Sequence, residues 1–211
     1  MNPSLAERLR TETRELHTAA ERSAFMAALM SGHMTRPAYC LLLSNLHAIY
    51  AALEPALERH ATNPLIEPVF LPALWRTSAL EHDLRALSGA DWCEAPTPTP
   101  ATTSYVARLR ELDASQPGLL LAHAYVRYLG DLSGGQMLCR VVAKSETLAG
   151  AAAIAFYDFG DALAVRDLTQ RFRAGLQSVP VDERMASALV DEARLAFRLH
   201  QALFEELAQA R

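Results

Sequence analysis

Apolar residues recur along this chain at intervals of three and four, and nowhere do they alternate with polar ones over the length of a strand. Ser4 and Glu7 form a Ser-x-x-Glu capping pattern that opens an amphipathic segment. Leu5, Leu9, Leu16 and Ala20 share one side of it, and the helix is predicted to run to about Met30, with Gly32 at its end. Thr35 then stands as an N-cap before Arg36-Pro37, with proline in the first turn. The stripe Tyr39, Leu42, Leu43, Leu46, Ile49, Tyr50, Leu53 and Leu57 predicts a long helix.

Pro64, Pro68 and Pro72 predict an irregular connection, followed by a helix carrying Leu74, Leu80, Leu84 and Leu87 and ending near Gly89. Residues 94–103 hold three prolines and are expected to form no helix, reading as a surface loop rather than a linker. Helices are predicted again at Tyr105–Leu112, from about Pro117 to Lys144, from about Asp161 to Leu176 and from about Val181 to Ala208. No internal repeat is visible. The pattern predicts an all-α chain, a single domain over residues 1–211.

Composition narrows the class. At 211 residues with 51% hydrophobic and 21% charged positions, the chain is neither disordered nor low in complexity. Its longest nearly unbroken apolar stretch, Leu148 to Tyr157, is about half of what a bilayer crossing needs. A net charge of −4 with no basic stripe gives no reason to expect a nucleic-acid partner. Cys40, Cys93 and Cys139 are widely spaced and form no C-x-x-C pair, so they read as ordinary thiols. The N-terminus lacks the apolar core of a signal peptide, and a cytoplasmic location is expected.

The least ordinary stretch is Tyr125-Val-Arg-Tyr-Leu-Gly-Asp-Leu-Ser-Gly-Gly-Gln136. Gly130, Gly134 and Gly135 interrupt an otherwise helical pattern, each at a cost of about 1 kcal/mol relative to alanine. Gly130 and Gly134 lie one turn apart and bare the backbone on one face, either for close helix packing or for approach to something flat. Leu132-Ser-Gly-Gly-Gln136 also matches a transporter ATPase signature, but no Gly-Lys phosphate loop occurs and no strand precedes it, so that reading fails.

Of seven histidines (His17, His33, His47, His60, His82, His123 and His200), none follows Glu at the spacing of a di-iron bundle, and none belongs to a zinc motif. A lone histidine is usually a surface residue or a satisfied core residue. His17 stands apart, because it adjoins the apolar side of its helix and has Glu21 at i+4, where a ligating imidazole finds a hydrogen-bond acceptor. No Ser–His–acid or Cys–His constellation can be assigned from spacing.

These blocks together resemble the heme oxygenase family, from about Leu5 to Leu207. Glu15-Leu-His-Thr-Ala-Ala-Glu21 is similar to its first block, and Ala122-His-Ala-Tyr-Val-Arg-Tyr-Leu-Gly-Asp-Leu-Ser-Gly-Gly-Gln136 to its long, specific distal-helix signature. Ala196-Phe197 through Leu203-Phe204-Glu-Glu-Leu207 is a weaker third match. The lack of an apolar tail after Leu207 resembles soluble bacterial members, so no membrane anchor is expected.

The resemblance implies a helical bundle that holds heme, both cofactor and substrate, between a proximal N-terminal helix and a glycine-kinked distal helix. His17 would ligate the iron with Glu21 as its hydrogen-bond partner. Gly130 and Gly134 would let the distal helix lie on the porphyrin, and Asp131 would organise water near bound oxygen. Arg10, Tyr125 and Arg173 would contact the propionates. Two departures from animal members stand out: Thr169 in place of a propionate-binding lysine, and His200 in place of an asparagine.

A histidine ligand donates electrons moderately, unlike a thiolate, which favours O–O cleavage. A glycine wall would leave oxygen bent toward the ring edge, so that a meso carbon is hydroxylated. The implied reaction opens heme to biliverdin, carbon monoxide and ferrous iron. It uses O2 and electrons from an external donor such as ferredoxin or an NAD(P)H-dependent reductase, since no flavin or nicotinamide fingerprint is present. A heme carrier or sensor that does not turn over stays open beside it. So does an enzyme of thiaminase-like architecture, in which His17 and the glycine block would have no purpose.

Overall fold

The computed structural model describes residues 3–32, 34–89, 98–148 and 153–210. His33, Cys93 and residues 94–97 of the proline-rich connection lie outside the described residues, as does part of the apolar stretch 148–157. Among the described residues the secondary structure is helical throughout: α1 (Leu5–Glu12), α2 (Arg14–Glu21), α3 (Ala24–Met30), α4 (Arg36–Arg59), α5 (Thr77–Ser88), α6 (Pro100–Ser115), α7 (Leu120–Lys144), α8 (Ala162–Ser178) and α9 (Glu183–Gln209). Single 3-10 turns connect several of them.

Local chemistry sets most of the boundaries. The Ser4–Glu7 capping box forms in full, Thr35 caps α4, and Asp161 and Asp182 accept backbone N–H groups at the starts of α8 and α9. Gly32 (φ +73°) and Gly89 (φ +82°) take the left-handed region just past α3 and α5, where a side chain would be strained.

Three expectations are corrected. The first helix does not run unbroken to Met30. It breaks at Thr13, whose hydroxyl donates to the Leu9 carbonyl, and again before Ser23, whose side chain caps α3. Residues 94–103 are not free of helix, because α6 starts at Pro100: Thr99 accepts the Thr102 N–H, and a proline at the first position has no donor to lose. Leu74 belongs to a 3-10 turn, and α5 begins only at Thr77.

The buried side chains form one continuous core cluster. Helices α4, α6, α7 and α9 pack around it, and α1 to α3 lie against α9. Among the described helices, α4 alone is long and apolar enough to cross a membrane, yet 61% of its apolar window is buried inside this fold. In the first turn of α7, His123 is wholly buried between the Tyr105 hydroxyl (3.3 Å) and the Glu192 carboxylate (2.9 Å), and Arg108 grips Glu192 at 2.6 Å. Burial pushes the His123 pKa down, against the pull of Glu192, and its Nε2–H donates to that carboxylate. Burial opposes the charge of Glu192, but the hydrogen bonds from His123 and Arg108 prevail and bring its pKa to about 2. This network ties α6, α7 and α9 together.

Candidate active site

A crevice opens between α2 and α7. It has an apolar lobe of about 430 Å³, walled by Met26, Leu29, Leu42, Leu46 and Phe156 among others. A second lobe of about 540 Å³ is bordered by Arg10, Arg14, Arg173 and Tyr125. His17, Val126, Gly130, Ser133 and Phe197 line both lobes, so the two adjoin.

Gly130 and Gly134 form part of its distal wall. A Cβ placed on either would meet nothing within 4 Å, so this face is bare toward open space rather than packed against a neighbouring helix. Gly135 serves packing instead, lying against the Tyr157 backbone at 3.5 Å. α7 remains continuous across all three.

His17 lines the crevice from α2, with its ring edge-on to Phe197 (5.9 Å) and Nδ1 at 3.5 Å from Glu21 Oε2. The side chain is 45% exposed and therefore accessible from the crevice. Arg10, Tyr125 and Arg173 come together at the second lobe. Burial raises the Tyr125 phenol, while Thr13 and the positive charges of Arg10 and Arg173 draw it back. Arg14 adds a further cation that the sequence reading missed, and Glu7 the one acid of this lobe. Thr169 does not line it, since its hydroxyl turns back to the Val165 carbonyl at 2.7 Å.

Asp131 is held by partners from two helices. Arg127 Nη2 donates to Oδ1 at 2.9 Å, and the Tyr50 hydroxyl donates to Oδ2. Arg127 Nε also donates to the Tyr50 hydroxyl at 3.1 Å, and its Nη1 meets the His200 ring at 3.1 and 3.4 Å. Burial raises the Asp131 carboxyl, and Arg127 and Tyr50 restrain that rise. Arg127 keeps its charge, because Asp131 and Tyr50 outweigh its burial. Of this group the sequence reading gave a role only to Asp131 and named His200 only as a departure. The i,i+4 spacing of Arg127 on the same apolar helix was the available signal.

The remaining wall is strapped from outside. The buried Asp83 carboxylate accepts the N–H groups of Ala155 (2.9 Å) and Phe156 (2.8 Å). Arg76 donates to the Asp158 carbonyl at 2.9 Å, with its guanidinium 3.9 Å from the centre of the Phe159 ring. The strap sets Phe156 and Tyr157 on the crevice. Other histidines have ordinary partners: His47 meets Glu81, His60 Asp113 and His82 Asp83. Among the described residues no cluster of His, Cys, Asp and Glu could hold a metal ion by itself, and Cys40 and Cys139 are free thiols.

Bare backbone on one wall, an accessible imidazole on another, apolar side chains at one end and guanidinium groups at the other suit a flat, apolar ring that bears anionic groups on one edge. Fold and crevice together define an all-helical binder of such a molecule. The family model for heme oxygenase matches residues 3–206. The heme oxygenase of Rhodella violacea is 36% identical over 97% of this chain and 87% of that protein, and human heme oxygenase 1 is 39% identical over 99% and 73%. The crystal structure of heme oxygenase-2 from Synechocystis in complex with heme and NO superposes with a TM-score of 0.93 at 37% identity, covering 99% of this chain and 86% of that one. The heme oxygenase of Leptospira interrogans gives 0.91 at 38% identity, covering 97% and 100%. The chain belongs to the heme oxygenase family, the heme-degrading oxygenases.

Proposed function

We propose that this chain binds one heme in the crevice, with His17 on the iron, and opens it to biliverdin, carbon monoxide and ferrous iron. Bound heme supplies the redox-active iron and is itself the ring that is cut. O2 is the oxidant, and electrons come from an external donor of the ferredoxin or NAD(P)H-dependent reductase kind. The observation that carries this reading is the bare Gly130–Gly134 face on one wall of a crevice that His17 enters from another.

Each residue has a task. His17 offers a ring nitrogen to the iron, and Glu21, 3.5 Å from the other one, stands where it can accept from it and orient the ring. Gly130 and Gly134 let the α7 backbone approach the ring plane. Arg10, Tyr125 and Arg173 hold carboxylate groups at the cationic lobe and set the rotation of the ring. Asp131, whose two oxygens accept from Arg127 and Tyr50, orients ordered water that delivers a proton into the crevice. Such general-acid help contributes about 10²–10⁴ in rate.

The continuous core supports reading residues 1–211 as one domain. The burial of α4 within the fold supports a core helix rather than a bilayer-spanning one, and the cytoplasm stays the proposed location. The test is to add hemin and a reducing system aerobically and follow the visible spectrum. Loss of the Soret band with growth of a biliverdin absorption is expected; a stable hemin complex under these conditions would make the protein a carrier.

A further inference from the structure

The helix that carries His17 is poorly equipped to hold itself in place. α2 has eight residues, no side-chain cap at Thr13 and a single buried side chain, Ala20. Helices of that length are marginal on their own, so tertiary contacts must fix where this one lies. One stripe of α9 supplies them: Arg194, Phe197 and Gln201, spaced three and four residues apart. Arg194 Nη2 donates to Glu12 Oε2 at 2.9 Å and its Nε to the Glu12 carbonyl at 3.4 Å, just before the break at Thr13. Gln201 Nε2 donates at 3.1 Å to the carbonyl of Leu16, in the peptide that leads into His17. A carbonyl only accepts, so the amide nitrogen of Gln201 is the group that meets it. Phe197, between the two, meets the His17 ring edge-on at 5.9 Å.

We propose that Arg194 and Gln201 are positioning residues for the axial ligand: they brace α2 against α9 on either side of Phe197 and so set the reach and tilt of His17 in the crevice. This deepens the proposed function and rests on it for the role of His17. The two contacts differ in kind. Arg194 and Glu12 are each about one-third exposed, and Arg8 draws on the other Glu12 oxygen at 3.0 Å, so solvent and competition weaken that pair. The Gln201 bond is part-buried and grips α2 one residue from the ligand, so Gln201 carries the larger share. Glu21 orients the imidazole; Gln201 places the backbone from which it springs.

The experiment compares wild type with Gln201→Leu, which keeps the bulk and removes the donor, and with Arg194→Leu and Arg194→Lys. In the heme-free protein, amide hydrogen exchange over residues 14–21 is expected to quicken roughly two- to tenfold in Gln201→Leu, the scale of one lost hydrogen bond, with α4 and α6 unchanged. Arg194→Leu is expected to quicken it by at most about fivefold, and Arg194→Lys to restore it. With hemin bound and reduced, resonance Raman of wild type is expected to show one narrow iron–imidazole band. In Gln201→Leu that band is expected to broaden, because the ring then samples several tilts. Wild-type exchange in α2, an unaltered band, or faster exchange spread evenly over α4 and α6 in Gln201→Leu would overturn the proposal. An iron–imidazole band that survived in His17→Ala would overturn the ligand half of it together with the reading of His17, and the exchange data would then decide the brace alone.

Discussion

Replacing Gly130 and Gly134 together by alanine is expected to move stability and heme binding in opposite directions. Glycine inside a helix costs about 0.5–1 kcal/mol relative to alanine. A Cβ on either residue meets no protein atom within 4 Å, so neither methyl introduces a clash in the heme-free chain. The double variant should gain about 1–2 kcal/mol, roughly 2–8 °C in Tm for a domain of this size. The same methyls project into the crevice, where the ring is to lie flat on the backbone. Overpacking of that kind costs about 1–3 kcal/mol per site, or about five- to 150-fold in affinity. Gly175→Ala is the internal contrast, because its Cβ would collide with the Pro68 carbonyl, and it should lose about 1–3 kcal/mol. Thermal denaturation of the heme-free proteins and hemin titration at the Soret band measure both effects. A destabilised double variant would mean that the glycines serve packing, and unchanged hemin affinity would mean that their face is not the heme wall.

His17→Ala should keep the helical circular dichroism and lie within about 0.5 kcal/mol of wild-type stability, since the ring is half-exposed and meets Phe197 edge-on. Its hemin complex should lose the axial-imidazole spectrum and regain it on addition of free imidazole; an unaltered spectrum would assign the iron to another residue. Arg173→Ala should change the ratio of biliverdin isomers, read by chromatography, more than it changes hemin affinity, because apolar contacts hold the ring and the guanidinium sets its rotation; an unchanged ratio would remove that role. The heme-free protein should lose stability as pH falls from 7 to 5.5. Burial holds the folded-state pKa values of His123 and His200 below that of a free imidazole, so the unfolded chain gains protons there before the folded one does. The slope is at most about 1.4 kcal/mol per pH unit for each histidine, and His200→Asn should flatten it in urea titrations; an identical slope in that variant would place the effect elsewhere.

Local signals in the sequence carried the fold a long way. Capping residues at Ser4 and Thr35 and the glycines after α3 and α5 act within one turn of themselves, so spacing reveals them. The breaks at Thr13 and Ser23 were harder to read, because an amphipathic stripe survives a short interruption. Pro100 misled because proline weakens helix interiors but suits a first turn. At the site, His17 with Glu21 and Gly130 with Gly134 are i,i+4 pairs on single helices and could be read together. The anchor of Asp131 could not. Tyr50 lies 81 residues upstream of it and His200 is 73 residues from Arg127, so only tertiary packing brings them to one point. The Asp83–Arg76 strap is likewise a product of packing α5 against residues 153–159.

The central claim is that the crevice between α2 and α7 destroys the heme it binds, through its own residues. The most direct measurement is carbon monoxide release from equimolar hemin complexes of wild type and Asp131→Ala, given a reductant and O2 in a single turnover. Wild type should release an equimolar amount of carbon monoxide as biliverdin forms, and Asp131→Ala should bind hemin with a normal axial spectrum but release carbon monoxide about 10²–10⁴ more slowly. Intact hemin in wild type, or equal release from both proteins, would contradict the account.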